Sequence, residues 1–237
     1  KSVTEFILIL FSFFALGAAT QKYKFLLDNT ALSKHKRYIK SANKIPVTGG
    51  LFLLIGFIIL NFYNLNLIYL FFLLLVFSIG FFSDLSNNFS PKVRLLTQII
   101  LILIFIVYSD ISILDTRINF INFLLLNYQI ISIIFILFCI LVLINGTNFI
   151  DGVNLSTIGY FLLIFFALFY LQTKYEIIID EITLINLIKI TFALLIINYF
   201  NKTQLGDGGS YLLAFLTGFL IISFINENKI VSPYYAI

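Results

Sequence analysis

The chain alternates long apolar runs with short polar interruptions, and the lengths of the runs decide what they are. Eight windows are predominantly apolar: 3–19, 47–62, 67–82, 93–108, 129–145, 156–171, 182–200 and 209–225. A helix that crosses a bilayer needs roughly 20 such residues. Inside lipid the backbone must satisfy its own hydrogen bonds, which makes each isolated run a helix. The pattern therefore predicts eight transmembrane helices. The stretch 118–126 is apolar but too short to span, and is expected to lie in the interface or to re-enter. Charge is nearly confined to the interruptions. Lys189 is a cation within the seventh span, near its outer end, where its ammonium is expected to snorkel to the interface.

Composition agrees with this pattern. The 237 residues are 61% hydrophobic and 11% charged, whereas a soluble domain is about half apolar and a quarter charged. Mean hydropathy is +1.06. The fold class is an all-α, polytopic membrane bundle, and no nucleic-acid partner is expected. A single cysteine, Cys139, and a single histidine, His35, exclude a disulfide framework and a Cys/His metal cluster within the chain. His35 reads as a surface residue of a basic loop. The chain opens on Lys1, holds no methionine and stops at S-P-Y-Y-A-I. It is expected to be a fragment of a longer protein, with 1–237 forming one transmembrane domain and no cleavable signal peptide.

The small net charge of +4 gains meaning from its distribution. One set of loops comprises 21–46, 83–92, 146–155 and 201–208. It carries Lys22, Lys24, Lys34, Lys36, Arg37, Lys40, Lys44, Lys92 and Lys202, with Arg94 just inside the fourth span. That is ten of the fifteen basic residues. The opposite side has Lys1, Arg117, Lys174 and Lys229. Positive charge marks the cytoplasmic side, so the first set is expected to face the cytoplasm.

Those four loops share an unusual chemistry. The first ends K-I-P-V-T-G-G, and the second reads G-F-F-S-D-L-S-N-N-F-S-P-K-V-R-L-L-T-Q. The third is N-G-T-N-F-I-D-G-V-N, and the fourth is N-K-T-Q-L-G-D-G-G-S-Y. Asp84, Asp151 and Asp207 stand at three span ends, each with glycine nearby. Converging carboxylates suit a hard divalent cation, and magnesium takes one or two of them and leaves its other positions to water and phosphate. Gly206, Gly208 and Gly209 allow a tight turn, and Ser210 is expected to open a helix whose free N–H groups favour phosphate. Lys44, Lys92, Arg94 and Lys202 could neutralise further anionic oxygens.

Each motif alone has an ordinary explanation. Pro-x-x-Gly-Gly can be a turn with close packing, Ser90-Pro91 a helix start, and N-G-T-N a solvated loop. Four of them on one face, with three aspartates at span ends, point instead to phosphoryl transfer by positioning and charge stabilisation.

The motifs also carry a resemblance. Pro46–Gly50, Gly80–Gln98, Asn145–Gly152 and Gly206–Ser210 resemble, in order and spacing, the polyprenyl-phosphate N-acetylhexosamine-1-phosphate transferases. That family includes phospho-MurNAc-pentapeptide translocase and the GlcNAc-1-phosphate transferases that initiate envelope polysaccharides. The resemblance implies a ten-span fold and transfer of a sugar-1-phosphate from a UDP-sugar to polyprenyl phosphate, releasing UMP. It implies a magnesium cofactor, which manganese can replace, and residence in the bacterial inner membrane with the site facing the cytoplasm. A homodimer is allowed. Asp84, Asp151 and Asp207 are the catalytic residues it implies, with Asp207 and Asp84 on the metal. Lys44, Asn145, Asn148, Asn154, Lys202, Gly208 and Ser210 would bind substrate.

Three departures stand out. The first of the family's paired aspartates, often taken as a base, is Ser83 here. The aspartate expected after D-G is replaced at Asn154-Leu155. A histidine- and arginine-bearing loop would fall beyond Ile237. GlcNAc-1-phosphate is the sugar expected, and the pentapeptide translocase is the alternative within the family. A membrane transporter and a catalytically silent homologue are the alternatives outside that activity.

Overall fold

A computed structural model describes residues 2–26, 45–85, 90–113, 116, 118–151, 155–175 and 180–227. Nine helices occur among the described residues: α1 (Ser2–Lys22), α2 (Gly49–Asn61), α3 (Leu67–Leu85), α4 (Pro91–Ser109), α5 (Asn119–Asn127), α6 (Gln129–Ile150), α7 (Ser156–Tyr175), α8 (Glu181–Tyr199) and α9 (Gly206–Glu227). Seven are long and apolar enough to cross a membrane. The second predicted span, α2, is apolar but has only 13 residues. The short stretch after α4 is the nine-residue α5, packed on α6. The protein is a polytopic helical bundle.

Polar side chains at the helix ends account for several boundaries. Ser90 caps α4 by accepting the Val93 N–H, with Pro91 as the first helical residue. Asp180 does the same for α8, accepting from both the Thr183 N–H and its hydroxyl. Each cap satisfies donors that a helix leaves open at its N-terminus.

The bundle is built around α9, which is buried along most of its length and packs on α2, α3, α6 and α7. A second layer joins α8 to α1, α2 and α7. The core runs through Leu53, Phe77, Phe105, Ile140, Leu194 and Phe215. Leu8, Phe11, Ile59, Phe71, Phe138 and Leu163 face outward. An outward apolar surface on this scale suits lipid, where no hydrophobic force separates inside from outside and packing and polar contacts must select the fold.

Two polar contacts cross the apolar layers. Buried Asn186 on α8 donates to Asn61 Oδ1 at 3.0 Å and to the Leu60 carbonyl at 3.1 Å, joining α8 to α2. Lys189 does not follow the snorkelling expectation. Its Nζ donates to Glu5 Oε2 of α1 at 2.9 Å, and its side chain is only 11% exposed. An opposite charge 184 residues away compensates it where water would otherwise have to.

Candidate functional site

The site lies at the bundle end where the four polar segments meet, and its scaffold is the Pro46–Gly50 motif. Gln204 N–H donates to the Pro46 carbonyl, Gly49 N–H to Gln204 and Gly50 N–H to Leu205, at 2.8, 2.8 and 3.0 Å. The buried hydroxyls of Thr48 and Thr203 meet at 2.9 Å, and Asn198 Nδ2 donates to the Thr203 carbonyl. The segment entering α2 is thereby tied to the segment entering α9.

Glycines let the backbones come this close. A Cβ on Gly50 would stand 2.5 Å from the Gly209 nitrogen, and one on Gly80 would stand 2.5 Å from the Asp207 carbonyl oxygen. Backbone cannot step aside as a flexible side chain can. Gly206 has φ +74°, in the left-handed region that glycine adopts without steric cost. The first turn of α9 is therefore wedged between α2 and α3.

Asp84, at the end of α3, closes that turn. Its Oδ1 accepts the Asp207 N–H at 3.0 Å and its Oδ2 accepts the Gly208 N–H at 3.1 Å. A carboxylate thus caps the positive end of α9 from a neighbouring helix. The donors expected to be open to phosphate at Asp207 and Gly208 already hold this anion. Ser210 lies inside the first turn rather than opening the helix, and its buried hydroxyl donates to the Asp207 carbonyl at 3.1 Å.

Asp207 is the centre of the polar cluster. Asn148 Nδ2 donates to its Oδ1 at 2.6 Å. Ser83 Oγ donates to its Oδ2 at 2.7 Å, and Arg94 Nη1 donates to the same oxygen at 2.9 Å. Arg94 Nη1 also reaches Ser83 Oγ at 2.9 Å. Four helices contribute: α3, α4, α6 and α9. The Arg94 and Asp207 side chains are 22% and 25% exposed, so the ion pair is partly screened yet open to a ligand.

A second layer supports the first. Buried Gln98, one turn beyond Arg94, accepts from Asn145 Nδ2 at 3.0 Å, and Asn145 also donates to the Leu141 carbonyl. The i,i+4 pair Arg94/Gln98 and the i,i+3 pair Asn145/Asn148 put matching rungs on facing sides of α4 and α6. Buried Tyr211 lies beneath, its ring centroid 6.0 Å from Arg94 Cζ.

The other sequence-predicted residues are distributed unevenly. Asp151 is the C-cap of α6, its N–H bonded to the Thr147 carbonyl. Helix α6 continues through Ile150, so Asn148 is helical rather than in the expected 146–155 loop. Lys202 donates to Gln21 Oε1 at 3.2 Å, at the end of α1. Lys44 and Asn154 lie outside the described residues. Arg94, which the sequence reading named as a cation for anionic oxygens, and Ser83, which it placed at the family's aspartate position, belong to the cluster, and Gln98 and Tyr211 join it although the sequence reading gave them no role there. The helical spacing of Arg94 and Gln98 within the second motif was the available signal.

A divalent cation fits this donor set in one way. Among the described residues no three His, Cys, Asp or Glu side chains come together. Asp84 accepts one α9 amide on each oxygen and Asp207 accepts three side-chain donors, so each carboxylate keeps a lone pair to offer, and Asp207, partly exposed, stands at the centre of the cluster. Magnesium suits such a site, since one carboxylate can anchor it while water and phosphate oxygens fill its sphere.

Residues 66–225 match the family described as Glycosyl transferase family 4. The matched span runs from the start of α3 almost to the end of α9 and contains every residue of the Asp207 cluster. No curated protein is similar enough to the chain to count as a match.

Proposed function

The chain belongs to glycosyl transferase family 4, the polyprenyl-phosphate sugar-1-phosphate transferases, and we propose that it moves GlcNAc-1-phosphate from UDP-GlcNAc to undecaprenyl phosphate, with magnesium. The family's reaction is sugar-1-phosphate transfer to polyprenyl phosphate in the membrane. The observation that supports this site for it is Asp207, held by Asn148, Ser83 and Arg94 on a helix end that Asp84 caps.

In the transfer, an oxygen of the lipid phosphate bonds to the sugar-linked phosphorus of the UDP-sugar. The bond from that phosphorus to the bridging oxygen breaks, and the oxygen leaves on UMP. Asp207 would hold the divalent cation, which when bound supplies positive charge to the diphosphate oxygens. Arg94 brings a second positive charge to the same end of the bundle, and Asn148 keeps the Asp207 carboxylate in one orientation.

Ser83 stands where the family carries an aspartate. A serine hydroxyl is no base at neutral pH, but a phosphate monoester with its second pKa at about 6 is already mostly dianionic at pH 7. The lipid phosphate can attack without losing a proton to the protein. Positive charge on the loops of this end supports a site that faces the cytoplasm at a bacterial inner membrane, where UDP-sugars are. Residues 1–237 act as one transferase domain in this reading.

Ser83 also supports a second reading, a homologue that no longer catalyses. Both are tested by incubating membranes containing the protein with magnesium, undecaprenyl phosphate and UDP-GlcNAc. Release of UMP with formation of a diphosphate-linked lipid supports the transferase. UDP would mean glycosyl transfer and would refute the mechanism. No nucleotide from UDP-GlcNAc, UDP-MurNAc-pentapeptide or other UDP-sugars would favour the silent homologue or a membrane transporter.

A further inference from the structure

Arg94 occupies the position that a cation at Asp207 would have to share. Its Nη1 lies 2.9 Å from Asp207 Oδ2, and the other Asp207 oxygen is held by Asn148 at 2.6 Å. Asp84 is compensated separately by the α9 amides. The two site carboxylates are therefore both balanced by protein groups. A divalent cation arriving at Asp207 meets a guanidinium on the same carboxylate oxygen. Like charges at that separation repel strongly in a partly buried site, so the two do not occupy it equally well together.

Resting on the transferase reading, we propose that Arg94 is a cation-responsive latch. Closed, it holds Asp207 and Ser83. Cation binding displaces it, and the released guanidinium becomes a ligand for the diphosphate of the UDP-sugar.

Three observations favour release over a fixed ion pair. Arg94 is in the first turn of α4, so its long side chain starts at the membrane-surface end of the helix. Its side chain is 22% exposed, which leaves a route outward. Among the described residues its other side-chain hydrogen bond is to the Ser83 hydroxyl, with the Tyr211 ring nearby, and a neutral hydroxyl can hold a guanidinium but cannot bind it as a second carboxylate would. An aspartate at position 83 would retain Arg94 after Asp207 had passed to the cation. Serine lets it go. A planar guanidinium with several N–H donors matches phosphate oxygens bidentately, so diphosphate is the acceptor it would move to.

The latch predicts opposite effects of one substitution on two ligands. In Arg94→Gln, Mn2+ binding, followed by the loss of the free-ion electron paramagnetic resonance signal, should tighten by about tenfold because a competing charge has gone. UDP binding in the presence of Mn2+ should weaken by about tenfold because a phosphate ligand has gone. A purely structural Arg94 would weaken both, and Mn2+ affinity unchanged or reduced in Arg94→Gln overturns the proposal.

The unaltered protein provides a second measurement should that variant fail to fold. Phenylglyoxal modification, mapped by mass spectrometry, should speed up at Arg94 when Mg2+ is added and slow again with UDP. Arg37 and Arg117 serve as internal references. No acceleration at Arg94 overturns the latch. Mn2+ bound equally by the unaltered protein and Arg94→Gln removes the latch alone. Mn2+ bound by neither, with UMP still released, removes the metal reading as well.

Discussion

Asp84 and Asp207 are joined through backbone rather than through a shared ligand: one carboxylate oxygen of Asp84 accepts the N–H of Asp207 itself, and the other accepts that of Gly208. One aspartate thus fixes the helix end that carries the other. The two have different places in the same cluster, with Asp84 holding the turn and Asp207 accepting from Asn148, Ser83 and Arg94.

Asp84→Ala should therefore act first on structure. Loss of a helix N-terminal cap costs about 1–2 kcal/mol, with a further contribution from the lost charge at the helix end. The expected result is a lower thermal midpoint in detergent together with reduced UMP release. Asp84→Asn, which keeps one good acceptor, should recover part of the midpoint. Equal midpoints for Asp84→Ala and the unaltered protein would contradict the capping role.

Asp207→Asn should act on chemistry. It keeps size, turns one of two accepting oxygens into an amide donor, and removes the charge that would hold a cation. UMP release is expected to fall by about a thousandfold or more, the scale on which preorganised charge contributes to such reactions. The thermal midpoint should move little, because the Arg94–Asp207 pair is partly exposed. Activity equal to that of the unaltered protein would sink the assignment of Asp207.

Gly80→Ala tests the wedge between α3 and α9. Its added methyl would meet the Asp207 carbonyl oxygen at 2.5 Å and Gly208 Cα at 2.6 Å. Overpacking of this kind costs about 1–3 kcal/mol, and here the strain falls directly on the residue that must be aimed. Both midpoint and UMP release should drop. Gly146→Ala is the control, since a Cβ there meets nothing within 4 Å.

Glu5→Gln should leave the Lys189 ammonium in an apolar setting without its partner. Removing one member of such a pair is worse than removing both, because the survivor is an uncompensated charge. The double variant Glu5→Gln, Lys189→Leu should therefore be more stable than Glu5→Gln alone, by about 1–3 kcal/mol on the scale of broken intramembrane contacts and charges. Thermal unfolding of the four proteins of this cycle provides the comparison. Additive effects would show that the pair is not coupled.

The orientation has its own test. With Cys139 replaced by alanine, a cysteine at exposed Ser90 should react with an impermeant maleimide from the cytoplasmic side of sealed inner-membrane vesicles only. Labelling from the opposite side would invert the topology and move the site away from its nucleotide supply.

Much of this protein could be read from its sequence because lipid allows an apolar run few alternatives. Each of the eight apolar runs became a helix, and 118–126 became the short α5, since an uncoiled backbone in a bilayer leaves its polar groups unpaired. Part of the motifs could be read for the same local reason, since helical spacing puts Arg94 with Gln98 on one face, whereas Asn148, read as part of a loop, joins the face of Asn145 because α6 runs on through Ile150. Which faces meet was a different matter. Side chains facing lipid and side chains facing the core are both apolar in α6, α8 and α9, so hydrophobic periodicity carries little information about direction. Tertiary structure alone decided that Asp84 caps α9, that Arg94 pairs with Asp207 113 residues away, and that Lys189 finds Glu5. Those choices depend on glycine-lined backbone approach and on compensating charge between distant segments, and neither is written in the pattern of any one helix.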